Sequence, residues 1–311
     1  MRESIDVCIC TFRRDSVWET LASIAAQEAP HLDLKVIVAD NDDDDRRRTE
    51  ILAHGKTLGL SLVYVHAPAR NISVARNACL DAARSDWVAF IDDDEIARTD
   101  WILNLVAARI GKDVIFGVSQ ARYPPGTSNW IVQGDFHSNR ISGNDAPWNG
   151  YTANVLMDRR IIERMGLRFS DAFGQTGGED TLFFFEAHKR GARFGYVPEA
   201  IVDEPTPLSR VSLRWLLLRR FRSGQIHFVL LEHSTGAMRI AMSAVAKASW
   251  CSMRALLALA YPTRAAGHLL RGSLHLGVVG AALGMAPYRE YANSEAAGPK
   301  RGKVIVSVNK I

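Results

Sequence analysis

The sequence predicts an α/β protein: a mainly parallel sheet with helices on both faces, followed by a basic, amphipathic helical region. Three observations carry this. Short apolar runs alternate with helical stretches over residues 1 to about 120. Acidic residues collect where two of those runs end, at Asp40 to Asp45 and at Asp92 to Glu95. Charge is also divided: from Pro205 to Ala286 ten basic residues face one acid, Glu232, a net +9 that leaves −5 for the rest of a +4 chain.

The elements follow in order. IDVCICTF is β-branched and apolar, hence a strand; Ser16 with Glu19 reads as a capping box opening a helix whose inner face is Leu21, Ile24 and Ala25. LKVIVADN and LSLVYVHA are further buried strands. ISVARNACLDAARS is a helix with Ser73 near its start, and WVAFID is the fourth strand. A helix around TDWILNLVAARI and a strand, DVIFGVSQA, come next. Residues 121–150, rich in Pro, Gly, Asn and Ser, read as an irregular loop over the site. YTANVLMDRRIIERMG resumes strand and helix, Glu179 and Asp180 open a helix after two glycines, and RFGYVPEAIVDEPTP reads as a short strand pair closed by prolines.

Composition narrows the class. A chain of 311 residues, 47% of them hydrophobic, supports a large core. Four cysteines without a CxxC pair signal neither a disulfide framework nor zinc; Cys8 and Cys10 share a strand face as small buried hydrophobes, and a reducing, cytoplasmic setting fits. MRESIDVCICTF is too short and polar to read as a secretory leader. The basic residues are interleaved with aliphatic runs, so no nucleic-acid partner is expected.

Ligands of open α/β sheets sit beyond the carboxyl ends of the strands. Asp92, Asp93 and Asp94 stand at such an end with no nearby basic residue before Arg98. Hard cations such as Mg²⁺ and Mn²⁺ take one or two carboxylates plus substrate phosphates, and acids at i and i+2 of a turn can serve a metal and a ribose. The bland alternative is a solvated acidic turn. Phosphohydrolases and receiver domains would instead place their aspartate at the end of the first strand, where this chain has Cys8, Cys10 and Thr11. Glu179 and Asp180 fit a general base or simple compensation of a helix dipole. Arg70 with Asn71, and Arg76 with Asn77, suit a diphosphate, although Arg76 equally fits a solvated helix position. His66 reads as a packed or surface histidine, and Asp42 to Asp45 with Arg46 to Arg48 as a solvated, self-neutralising turn.

Together these motifs resemble the family 2 glycosyltransferases, inverting enzymes with the Rossmann-like GT-A fold. Cys-Thr-Phe-Arg after the first strand, VIVADN, the RNISVARN segment (without the family's glycine), FIDDDE, GGED and RVSLRWLLLRRFRSG match in order over about residues 4–225. Within the family the chain is most similar to bacterial exopolysaccharide glucosyltransferases of the succinoglycan type. The resemblance implies Asp180, beside Glu179, as catalytic base and a Mg²⁺ or Mn²⁺ on Asp94 and Asp92. It implies a UDP-sugar seated by Thr11, Arg13, Asp40, Arg70, Asn71, Arg76, Asp92 and Asp93, with Arg214 and Trp215 contributing from the Arg-Trp helix. It also implies a polyprenyl-diphosphate-linked glycan as acceptor.

The expected domains are 1–207, catalytic (1–120 for the nucleotide sugar, 121–207 for acceptor and base), 208–290, basic and membrane-associating, and 291–311, a tail. GAMRIAMSAVAKASWCSMRALLALAY is an amphipathic helix. HLLRGSLHLGVVGAALGMAPY has 17 uncharged residues between Arg271 and Arg289, short of a span of ~20, and reads as lying on the cytoplasmic face of the inner membrane, the alternative being a helical cap packed on the catalytic domain. The alternatives are a nucleotidyltransferase, which needs a glycine-rich loop that CTFRRDSVW lacks, and a non-catalytic nucleotide-sugar-binding membrane protein.

Overall fold

β1 (Glu3–Thr11) shows why the first strands are apolar throughout. Ile5, Val7 and Ile9 enter one apolar layer, while Cys8 and Cys10 enter the layer on the other side. β2 (Leu32–Asp40) repeats this, with Val36 and Val38 against Ile37 and Ala39. Side chains alternate with period two, so a strand covered on both faces has no polar side to show. α1 (Val17–Ala25), α2 (Arg48–Thr57) and α4 (Trp101–Ala107) close the first layer. α3 (Ile72–Ala82) and α7 (Glu179–Lys189) close the second.

The structure is a computed structural model, and it describes residues 2–141, 148–232, 236–286 and 305–308. Among the described residues the strands form one nine-stranded sheet in the order β5-β8-β6-β7-β4-β1-β2-β3-β9. β3 (Ser61–His66), β2, β1 and β4 (Trp87–Asp92) are parallel. Thr11 pairs with Asp40, Asp40 with His66 and Cys10 with Asp92, so four carboxyl ends finish level. The flanks are antiparallel: β7 (Asn154–Asp158) against β4 and β6 (Val114–Arg122), β5 (Ile96–Ala97) against β8 (Phe194–Pro205), and β9 (Ile305–Val308) against β3. Asn154 locks this flank: its amide donates to the carbonyls of Val118 (3.0 Å) and Ala200 (2.9 Å) and accepts from Trp101 Nε1 (2.9 Å), satisfying a buried polar group.

Two local expectations are corrected. Ser16 lies in helical conformation and its side chain makes no cap, so the Ser16–Glu19 capping box does not form. β8 is one strand of 12 residues rather than a short pair; Pro198 falls on an exposed stretch of it, where a missing N–H costs little. α3 begins next to Ser73 as expected, and Asn71 caps it: its side-chain oxygen accepts the Ser73 N–H at 3.0 Å. α6 (Arg159–Arg164) follows β7 as expected, capped by Asp158.

The chain divides into two compact units, the first made of residues up to Gln120 with Asn139–Glu204 and β9, the second of Ala121–Ser138 and the described residues from Pro205 to Ala286. In the second unit α5 (Asn129–Gly134) forms within the expected irregular segment and packs with α10 (Pro262–Ala282); Ser142 to Pro147 of that segment lie outside the described residues. α8 (Leu213–Glu232) and α9 (Ala237–Leu257) also pack on α10. The α8–α10 crossing is set by glycine: a Cβ at Gly224 would stand 1.9 Å from the Leu274 carbonyl oxygen, and one at Gly277 1.9 Å from that of Phe221. α10 thus packs within its unit, with Ala266, Leu270, Gly272 and Val278 buried and Leu269 and Leu276 exposed; residues 287–288 of the expected stretch lie outside the described ones. No helix among the described residues is long and apolar enough to cross a membrane.

Candidate active site

Thr11 ends β1, and its hydroxyl donates to Asp93 Oδ2 at 2.8 Å. The chain then turns through a left-handed residue, Arg13 (φ 56°), which sends two consecutive guanidiniums in different directions. Arg13 grips Asp42 through Nε and Nη2 at 2.8 and 2.7 Å. Arg14 Nη1 lies 3.1 Å from Asp93 Oδ1 and 2.5 Å from Asp94 Oδ2.

The acidic run after β4 alternates. Asp93 and Glu95 turn inward, 5% and 1% exposed. The side chains of Asp92 and Asp94 keep 42% and 27% of their exposure. Burial pushes Asp93 up to about 7, against the pull of Arg14 and Thr11. Glu95 accepts the Asp92 N–H at 3.2 Å, and burial, with Asp92 and Glu204 nearby, holds its carboxyl well above the ordinary range. Asp92 is raised as well, by desolvation first and by Asp94, with Arg76 opposing.

Arg76 joins this strand end to α7. It is 6% exposed, with Nη1 on Glu179 Oε1 and Nη2 3.6 Å from Asp92 Oδ1, and its guanidinium lies over the Phe169 ring at 5.6 Å. The solvated reading of Arg76 is thus excluded. Gly177 and Gly178, at φ 79° and 95°, adopt a backbone that L side chains rarely take, and they deliver Glu179 and Asp180 into the first turn of α7. Asp180 Oδ1 accepts the Thr181 N–H (2.6 Å) and hydroxyl (3.3 Å). Burial, and then Glu179, push the Asp180 carboxyl up to about 6, with Arg76 pulling it down. The other Glu179 oxygen, Oε2, is buried without a partner.

A divalent cation is tested on the donors present. Asp92 and Asp94 offer two hard oxygen ligands, Asp94 raising the cost of ionising Asp92, and among the described residues no group of three or more His, Cys, Asp or Glu gathers to hold an ion unaided. Such a set fits Mg²⁺ or Mn²⁺ completed by diphosphate oxygens and does not fit a closed protein cage.

The protein-family model described as "Glycosyl transferase family 2" matches residues 6–166. The chain is 39% identical over 298 residues to the succinoglycan biosynthesis protein ExoM of Rhizobium meliloti (strain 1021), covering 94% of this chain and 96% of the relative. It belongs to glycosyl transferase family 2. A glucosyl-dolichyl phosphate glucuronosyltransferase of Haloferax volcanii is 25% identical over 71% of this chain and 75% of its own. Among solved structures, the mannosyltransferase PcManGT of Pyrobaculum calidifontis, in complex with GDP-Man and Mn²⁺, superposes with TM-score 0.62 at 20% identity, covering 90% of this chain and 87% of that one. S. aureus TarS 1-349 with UDP-GlcNAc gives 0.53 at 14%, covering 89% and 91%. At those identities the likeness establishes the GT-A fold.

Within this family 2 glycosyltransferase the first unit brings Thr11, Arg76, Asp92, Asp93, Asp94, Glu179 and Asp180 into one chain of contacts. Asp40 stands at its strand end but is 1% exposed: Oδ1 accepts the Asp42 N–H (3.0 Å) and Oδ2 the Tyr64 hydroxyl (2.9 Å). Arg70, left-handed at φ 47°, pairs with Asp43, while Asn71 spends its side chain on Ser73 and on the Asp171 carbonyl (2.9 Å). The turn after β2 is not wholly solvated, since Asp42 is 2% exposed; His66 is buried and its Nε2 meets the Asp42 carbonyl oxygen at 3.0 Å. Arg214 and Trp215 belong to the second unit, where Arg214 is exposed and Trp215 stacks on His137 at 5.3 Å with Arg210 and Arg219 over its ring. Sequence reasoning missed Arg14 and Thr181. An arginine pair after a strand was visible, but its division between two acidic runs depends on the backbone at Arg13.

Proposed function

We propose that this enzyme transfers glucose from UDP-glucose to a polyprenyl-diphosphate-linked glycan, in exopolysaccharide or cell-surface glycan biosynthesis, at the cytoplasmic face of the inner membrane. The observation that carries the reading is Arg76, whose two arms reach Asp92 and Glu179 and so tie a candidate diphosphate end to a candidate base. The succinoglycan role named for the 39% identical relative supports the pathway class.

The reaction is one in-line displacement. The acceptor hydroxyl oxygen bonds to the anomeric carbon as the bond from that carbon to the diphosphate oxygen breaks, and Asp180 takes the hydroxyl proton. A carboxyl with a pKa of about 6 is mostly ionised at neutral pH yet more basic than an ordinary aspartate. Attack from the face opposite the leaving group turns an α-linked donor into a β-linked product. Asp92 and Asp94 would hold Mg²⁺ or Mn²⁺, which would supply neutralisation of the charge growing on the leaving diphosphate. Arg76 keeps Glu179 paired, so that Asp180 remains ionisable next to it. Thr11, Arg13, Arg70 and Asn71 seat the nucleotide with Asp93 behind them, and Asp40 acts through the loop it anchors at Asp42. Arg214 and Trp215 serve the donor and acceptor side.

The test is UDP release from a panel of UDP-sugars, with and without EDTA, on wild type and Asp180→Asn. One donor should turn over with metal, and the variant should bind it without turning it over. A variant that keeps full turnover contradicts the reading.

A further inference from the structure

We infer that the outward face of α9 docks on an anionic lipid bilayer; this deepens the membrane part of the proposed function and rests on it only for the place where the enzyme works. α9 buries a narrow stripe, Ile240 with the small residues Ala244, Ala248, Cys251 and Ala255, toward the rest of its unit. The opposite side is apolar too: Met238, Met242, Val245, Met253 and Leu256 are 73, 60, 50, 43 and 68% exposed. At 3.6 residues per turn these five fall within an arc of about 80°.

The charges are one-sided. Arg239, Lys247 and Arg254, all exposed, lie along one flank of that arc, between it and the buried stripe. Trp250, 58% exposed, stands at the same flank with Arg254 over its ring at 5.9 Å. From Gly236 to Ala286 there is no Asp or Glu. An apolar stripe edged by cations and an indole suits a helix lying at the headgroup level, with methionine and leucine in the acyl boundary and the cations on anionic phosphates. No described helix can cross, so the contact lies along the surface.

The occupant is lipid rather than a second copy of this chain. A two-fold pairing of α9 faces would set Arg239, Lys247 and Arg254 against their own counterparts, with no acid on these helices to neutralise them. Exposed methionine and leucine of this density on a water-facing helix otherwise favour aggregation.

The test is co-sedimentation of the full chain with vesicles of phosphatidylcholine alone or mixed with phosphatidylglycerol, alongside light scattering and calorimetric UDP binding. Wild type should bind the mixed vesicles and release them as salt rises. Lys247→Ala with Arg254→Ala should weaken that binding about 30-fold, and Met242→Glu with Leu256→Glu should abolish it, with UDP affinity unchanged in both. Equal binding to neutral vesicles, no binding, or a dimer dispersed by Met242→Glu with Leu256→Glu would overturn the inference. Loss of UDP binding in wild type with vesicle binding intact would overturn the transferase reading alone.

Discussion

The acidic run after β2 and the one after β4 begin level with each other on either side of β1, with Asp40 opposite Thr11 and Asp92 opposite Cys10. Their surroundings then diverge. Asp42 has Arg13, Asp43 has Arg70, Asp44 has Arg46 and Asp45 has Arg48. Asp42 is held below the usual range in spite of its burial, and its Arg46 partner lowers Asp44 to about 2. The run after β4 shares Arg14 and Arg76, and Arg76 also serves Glu179. There Asp92, Asp93 and Glu95 are all pushed up, as is Asp180 across Arg76. Acid count does not separate the two runs; burial and the local supply of guanidinium do. A run matched arginine for aspartate neutralises itself, whereas a crowded run short of guanidinium is where an added cation would relieve repulsion.

Breaking the second run should cost most. Asp180→Asn should lower kcat by roughly 10³–10⁴-fold while leaving UDP affinity within a factor of about two, checked by turnover and calorimetry. The pH profile sharpens the same point. The base works as carboxylate and its pKa is raised, so turnover should climb with pH through about 6 and level off above it, read from kcat between acid and neutral pH. Arg76→Met should act on stability as well as turnover. It leaves Glu179 buried beside Asp180 without its counter-ion, and should cost about 3–5 kcal/mol by denaturant unfolding. In the first run, Asp42→Asn removes the charge from one side of a pair whose arginine is half exposed and should lower the unfolding midpoint only modestly, with metal dependence unaltered. Arg46→Ala touches an exposed pair only and should leave both the unfolding midpoint and turnover unchanged.

The sequence carried the layers well because strand burial is periodic and local. Ile5 to Cys10 and Val36 to Ala39 announce a sheet covered on both faces. The antiparallel flank was less legible, since β7 enters between β4 and β6 through long-range pairing and the Asn154 hydrogen bonds. In the site, the residue types of FIDDDE and GGED were visible, but which acids point inward is a matter of backbone direction. Arg76 illustrates the limit: its helical position fitted solvent or ligand equally, and only the approach of α7 turns it into the bridge between Asp92 and Glu179. α10 reads as a surface segment until Gly224 and Gly277 are found touching the backbone of the facing helix.

The central claim is that the run after β4, not the run after β2, binds a cation together with a diphosphate. It is tested most directly by calorimetric UDP binding with and without Mn²⁺, on wild type, Asp94→Ala and Asp43→Ala. Mn²⁺ should tighten UDP binding at least tenfold, about 1.4 kcal/mol, in wild type and in Asp43→Ala, and have no effect in Asp94→Ala. UDP binding in wild type that is indifferent to Mn²⁺, or Mn²⁺ dependence that survives in Asp94→Ala and is lost in Asp43→Ala, would contradict it.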